Sequence, residues 1–95
     1  MTRETVNELG MELQRWTHES CVADFSVGDG WATLYRIEST KPGRGHATKL
    51  LTAAKRYYEE QGKKVGGTVA LNEKMMSLYQ RVGIREYTEV ADADK

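Results

Sequence analysis

The stretch Ile37-Glu38-Ser39-Thr40-Lys41-Pro42-Gly43-Arg44-Gly45-His46-Ala47-Thr48 decides how this chain is read. It runs from the end of a strand-like segment, through a loop with the chain's only proline and two close glycines, into a helical pattern. Glycines let the backbone turn tightly, and the first turn of a helix leaves several N–H groups without an intrahelical partner. Free N–H donors and the helix dipole together suit an anion, phosphate above all. Lys41, Arg44 and Lys49 add positive charge around the loop. The same pattern also serves as a plain turn in which the glycines do no more than ease the chain's direction. A Walker A loop requires Gly-Lys-Ser/Thr, which is absent, and a dinucleotide fingerprint lacks its acidic residue at the end of the next strand.

Outward from the loop, Ala47, Leu50, Leu51, Ala54, Tyr57 and Tyr58 line one side of a helix that Gly62 can terminate. Val65 to Leu71 reads as a buried strand, weakened by Gly66-Gly67. Asn72 can cap a further helix carrying Met75, Met76, Leu78, Tyr79 and Val82, stopped by Gly83. Ile84 to Val90 can form a last strand. On the N-terminal side, Cys21–Val27 and Trp31–Glu38 read as a hairpin around Asp29-Gly30. Before it, Val6, Leu9, Leu13 and Trp16 recur at steps of three and four behind a Thr5-x-x-Glu8 capping box. This predicts an amphipathic helix over 6–19. The expected order is α-β-β-α-β-α-β.

Composition narrows the class. With 95 residues and 10.8 kDa, the chain supports one domain and one modest core. Fourteen basic residues balance fourteen acidic ones, with a pI near 6.7, which speaks against a dedicated nucleic-acid binder. The balance is not local: residues 1–30 hold two basic against six acidic residues, and residues 36–64 hold eight against three. An anionic ligand is drawn to the middle of the chain. No apolar run is long enough to cross a bilayer, and the N-terminus does not read as a secretory signal. One cysteine and two histidines are too few for a structural zinc site, and Cys21 reads as a small core residue. The expected address is the cytoplasm.

Two motifs then fall into place. Pro42-Gly43-Arg44-Gly45-His46-Ala47, followed by Leu50-Leu51, resembles motif A of the GCN5-related N-acetyltransferases, with Pro42 where Gln or Arg is usual. Asn72-x-x-Met75-x-x-Leu78-Tyr79-x-x-x-Gly83-Ile84 is similar to that family's motif B. The resemblance covers about residues 31–90. It implies an α+β fold of α/β/α layers, with a mixed, mostly antiparallel sheet splayed between two strands and acetyl-CoA in the gap. The version here is a minimal one, lacking the family's first strand. By the same resemblance, backbone N–H groups from Gly43, Arg44, Gly45, His46, Ala47 and Thr48 hold the pyrophosphate. Strand backbone at Ile37 pairs with the pantetheine arm, and Asn72 contacts it or caps the helix beside it. Tyr79 protonates the leaving thiolate as general acid, and Glu38 is placed to deprotonate the acceptor amine. Each has a plainer reading: Tyr79 as a core tyrosine, Glu38 as a solvated strand end, His46 as an exposed residue without a role.

The function this implies is acetyl transfer from acetyl-CoA to an amine of a small molecule or protein by direct attack. The chain is shorter than usual members and lacks elements that wall the acceptor site. That site is therefore open, completed by a second subunit in a homodimer, or lost. The alternative is a non-catalytic or CoA-binding interaction module, such as a phage-type protein that modulates a host enzyme. Neither reading involves nucleic acid, a membrane or a metal.

Overall fold

Leu9-Gly10, in the middle of the stretch expected to be helical, is a two-residue turn. Leu9 has φ 50° and Gly10 φ 78°, the left-handed pair of a type I′ hairpin. In the computed structural model, which describes residues 1–41, 45–68 and 73–86, the chain enters as β1 (Thr2–Glu8) and returns antiparallel as β2 (Met11–His18). The helix expected over 6–19 is thus corrected to a hairpin, for a physical reason. A glycine inside a helix costs about 1 kcal/mol relative to alanine, whereas at positive φ it is at home. The apolar residues that would share one helical face separate in the sheet. Trp16 turns to one side, Leu13 to the other, and Leu9 is 96% exposed at the tip.

A second two-residue connection, Glu19-Ser20, leads into β3 (Cys21–Val27), and the turn at Gly28–Gly30 into β4 (Trp31–Ser39). Glu19 has φ 53° and Ser20 is not in the left-handed region, the pattern of a type II′ turn, which favours glycine at its first position. Glu19→Gly should therefore stabilise the chain by roughly 0.5–1 kcal/mol and raise the melting temperature by a few degrees. An unchanged or lowered melting temperature would remove the assignment of strain to this turn.

The remainder is α1 (His46–Glu60), β5 (Lys64–Gly67), α2 (Glu73–Val82) and β6 (Arg85–Glu86). The six strands lie in chain order in one sheet, β1 to β4 antiparallel and β4, β5 and β6 parallel. The fold is α+β. Two successive crossovers step in the same direction, and right-handed connections put both helices on one face. There α1 and α2 touch each other and share one core. The expected α/β/α layering is therefore corrected to two layers, with the other sheet face bare of helix among the described residues. No described helix is long and apolar enough to cross a membrane.

Leu50, Leu51, Ala54 and Tyr58 of α1 pack on Trp16, Ala23, Phe25 and Leu34. The Tyr58 hydroxyl accepts from Trp16 Nε1 at 3.0 Å and donates to Gln14 Oε1 at 2.5 Å, so the core's polar atoms are paired. Cys21 is fully buried and burial pushes its thiol up, which makes it a core residue as expected. Gly62, at φ 79°, ends α1 by donating its N–H to the Glu59 carbonyl.

The bare face is fastened by charge. Arg15 donates from Nε and Nη2 to Asp24 at 2.8 and 3.1 Å and to Glu8 at 2.7 Å. Arg36 donates to Asp24 at 2.8 Å and to Glu8 at 2.6 Å. Glu8 is on β1 and Arg36 on β4, so the antiparallel strands curl until side chains on strands separated by two others meet. Leu13, on this side of β2, is 1% exposed despite having no helix above it.

Candidate functional site

β4 changes company half-way along its length. From Trp31 to Leu34 it pairs with β5, ending with the Thr68 N–H on the Leu34 carbonyl at 3.1 Å. Next comes a bulge: Phe25 faces Leu34 and Asp24 faces Arg36, which leaves Tyr35 as the extra residue. The bulge keeps the strand's pattern correct. Ala32 and Leu34 before it, and Ile37 and Ser39 after it, all turn to the helix side; without it Arg36 and Glu38 would face the core. Beyond the bulge β4 still pairs with β3, as far as Ser39 opposite Cys21, but has no strand on its other side among the described residues. Main-chain groups that point away from β3 there are open to a ligand.

The start of α1 stands beside this edge. Its N-cap, Gly45, has φ 75°, no side chain caps the helix, and no acidic residue occupies the first turn. The first intrahelical bond runs from the Lys49 N–H to the Gly45 carbonyl at 3.1 Å, so the N–H groups ahead of it have no partner within the helix. The strand edge, the helix start and α2 enclose a cleft of about 780 Å³. Lys41, Lys74 and Arg81 bring three cations to it against one carboxylate, Glu73. None of the three cations is ion-paired among the described residues. Arg81 reaches across from α2 toward Thr48 Oγ1, 3.5 Å away.

His46 is held from behind. Its Nδ1 lies 3.1 Å from Ser20 Oγ, which is itself 3.4 Å from Ser39 Oγ, and the His18 ring meets the imidazole edge-on at 5.6 Å. His18, at the end of β2, therefore supports His46.

Of the residues expected at the site, the cleft gathers Ile37, Gly45, His46, Ala47 and Thr48. Gly43, Arg44 and Asn72 lie outside the described residues. The two acid–base candidates are placed elsewhere. Glu38 is exposed and, by strand alternation with Ile37, faces the helix-free side. Tyr79 is 3% exposed in the core, and its hydroxyl donates to the Thr68 carbonyl at 2.9 Å. Neither lines the cleft. Sequence reasoning missed what α2 contributes. Glu73, Ser77 and Arg81 recur every four residues and all line the cleft, a spacing that already placed them on one helical face. It also missed Ser20, whose link to His46 spans 26 positions.

Comparison of the chain with protein-family models, with curated proteins and with solved structures returned no match.

Proposed function

We propose that this chain binds acetyl-CoA in the cleft and transfers the acetyl group to an amine. One observation carries the reading: an unpaired stretch of β4 and the uncapped start of α1 open onto the same cationic cleft. The donor set fits the ligand's two chemistries. A pyrophosphate takes N–H donors from His46, Ala47 and Thr48 and charge from Lys41, Lys74 and Arg81. An amide-bearing arm takes main-chain hydrogen bonds from the β4 edge around Ile37, as an added strand would. Bound there, acetyl-CoA supplies an activated acetyl group. The β4 edge orients its carbonyl and offers N–H donors where negative charge develops. Tyr79, on the same helix as the cleft-lining Glu73, Ser77 and Arg81, carries a phenol that can give up a proton, provided it turns away from Thr68.

The position of Tyr79 and Glu38 favours a second reading. With both acid–base candidates outside the cleft, a module that binds CoA without transferring its acyl group fits the same geometry.

Melting the protein with acetyl-CoA, CoA or ATP tests both. Ligand at about 100 times its dissociation constant adds about 2.7 kcal/mol, and a domain of this size gains roughly 4–8 °C per kcal/mol. A shift with acetyl-CoA and CoA but not ATP is the expected result; no shift with any of them rejects the cleft as a CoA site. Tyr79→Phe then separates the readings. It should leave the CoA shift in place, and it should slow acetyl transfer only if Tyr79 is the acid.

A further inference from the structure

β1 is the outer edge of the sheet. Residues Thr2–Glu8 pair with β2 on one side and with no described strand on the other. The two-residue turn makes Glu8 and Met11 a hydrogen-bonded pair, so Thr2, Glu4, Val6 and Glu8 turn their main-chain groups to β2. Arg3, Thr5 and Asn7 then present theirs outward. Charged side chains commonly guard such an edge against pairing. Here two of the three are drawn inward. The Arg3 guanidinium lies 4.1 Å from the Tyr57 ring centroid and 5.9 Å from that of Trp16. The Glu8 carboxylate is bonded to Arg15 and Arg36. At the two ends of the edge stand the two most exposed large apolar side chains among the described residues, Leu9 at 96% and Met1 at 56%.

We propose that two copies of the chain associate through β1, antiparallel about a two-fold axis at Thr5, so that the sheet runs on from one protomer into the other. A two-fold axis perpendicular to the sheet requires facing residues to share a face. The pairings of longest overlap are then centred on Glu4, Thr5 or Val6. Centring on Glu4 sets two carboxylates opposite each other, and centring on Val6 sets Glu4 against the partner's Glu8; both are unfavourable. Centring on Thr5 brings Arg3 opposite the partner's Asn7 and Glu4 opposite the partner's Val6, with no like charges facing. Roughly six main-chain hydrogen bonds form from the outward groups. The same register lays Met1 beside the partner's Leu9 at both ends. That contact gives Leu9 a purpose that its strained, solvent-exposed position in one protomer does not.

The register is testable on the untagged full chain. Sedimentation or light scattering from low micromolar to near-millimolar protein should give twice the 10.8 kDa of one chain at the upper end. Thr5→Cys places a thiol on the axis, where hydrogen-bonded strand partners have Cα atoms ~5.5 Å apart, within disulfide reach. Mild oxidation should convert most of this variant to a covalent dimer. Asn7→Cys, which faces the partner's Arg3, should stay uncrosslinked, and the buried Cys21 does not compete. Thr5→Pro removes an outward N–H without touching the β2 ladder and should leave a folded monomer. Monomer mass at every concentration, or crosslinking of Asn7→Cys as fast as that of Thr5→Cys, overturns the proposal.

Discussion

Asp24→Ala destabilises the chain at neutral pH by roughly 2–4 kcal/mol, because it removes the common acceptor from two guanidinium groups. Asp24 is the buried charged residue among those described, 1% exposed on the helix-free face, and takes three hydrogen bonds from Arg15 and Arg36. Without it both arginines keep only Glu8 and what water reaches them, which is why the loss falls short of a fully buried pair's. The effect depends on pH. Burial alone would raise the Asp24 carboxyl, but the hydrogen bonds from Arg15 and Arg36 outweigh it and hold it below the usual aspartate range. A carboxyl depressed on folding contributes stability that is complete above its unfolded value, about 3.9, and lost as pH falls through the folded value. Glu8 is lowered in the same direction by hydrogen bonds from the same two arginines. Denaturant midpoints of wild type and Asp24→Ala should therefore differ most at pH 7 and converge as the pH falls below the carboxylate range. A difference that stays constant down to the lowest pH would show that packing, not charge, holds Asp24 in place. The same variant bears on the cleft. Arg36 is a bulge residue of β4, at the point where that strand leaves β5, so loosening it should shrink any CoA-induced melting shift as well.

This network also marks the limit of what the sequence discloses. β3, β4, α1 and α2 are legible because their signals are local. Asp29-Gly30 makes the turn, Leu50, Leu51, Ala54 and Tyr58 repeat at helical spacing, and Gly62 and Gly83 stop the helices. The N-terminal hairpin is not, because its strands carry polar residues whose partners are distant in sequence. Arg15 finds Asp24 nine positions on, Glu8 finds Arg36 twenty-eight positions on, and Arg3 finds the Tyr57 ring. A periodicity count sees only Val6, Leu9, Leu13 and Trp16 and takes them for one face. Gly10 was the local signal against a helix there. The site divides in the same way. Gly45 and the small residues of the first turn of α1 leave main-chain N–H groups uncapped, and that pattern is readable from the sequence. Whether Glu38 or Ile37 faces the helices depends on one extra residue at Tyr35, which only the pairing of β4 with β3 reveals.

Gly67→Ala is the other large effect, and it concerns a glycine that in sequence looks like a flaw in its strand. Gly67 does not need positive φ; it is small because α2 comes close. A Cβ there would stand 2.6 Å from both Cζ and Oη of Tyr79, closer than side-chain carbons approach anything in a folded protein. The ring has little room to withdraw, being 3% exposed and tied by its hydroxyl to the Thr68 carbonyl, on the residue after Gly67. Overpacking of this kind costs typically 1–3 kcal/mol, and breaking the Tyr79–Thr68 hydrogen bond adds about 1 kcal/mol. Gly67→Ala should therefore lower stability by roughly 2–4 kcal/mol in urea denaturation. The double variant Gly67→Ala/Tyr79→Leu identifies the cause. Leucine gives up the two atoms in conflict, so the pair should cost less than the sum of the single variants. Additive losses would mean that α2 is not what forbids a side chain at 67. If the coupling holds, Gly67 sets how near α2 lies to β5. The glycine then fixes one wall of the cleft, since Glu73, Ser77 and Arg81 ride on the same helix as Tyr79.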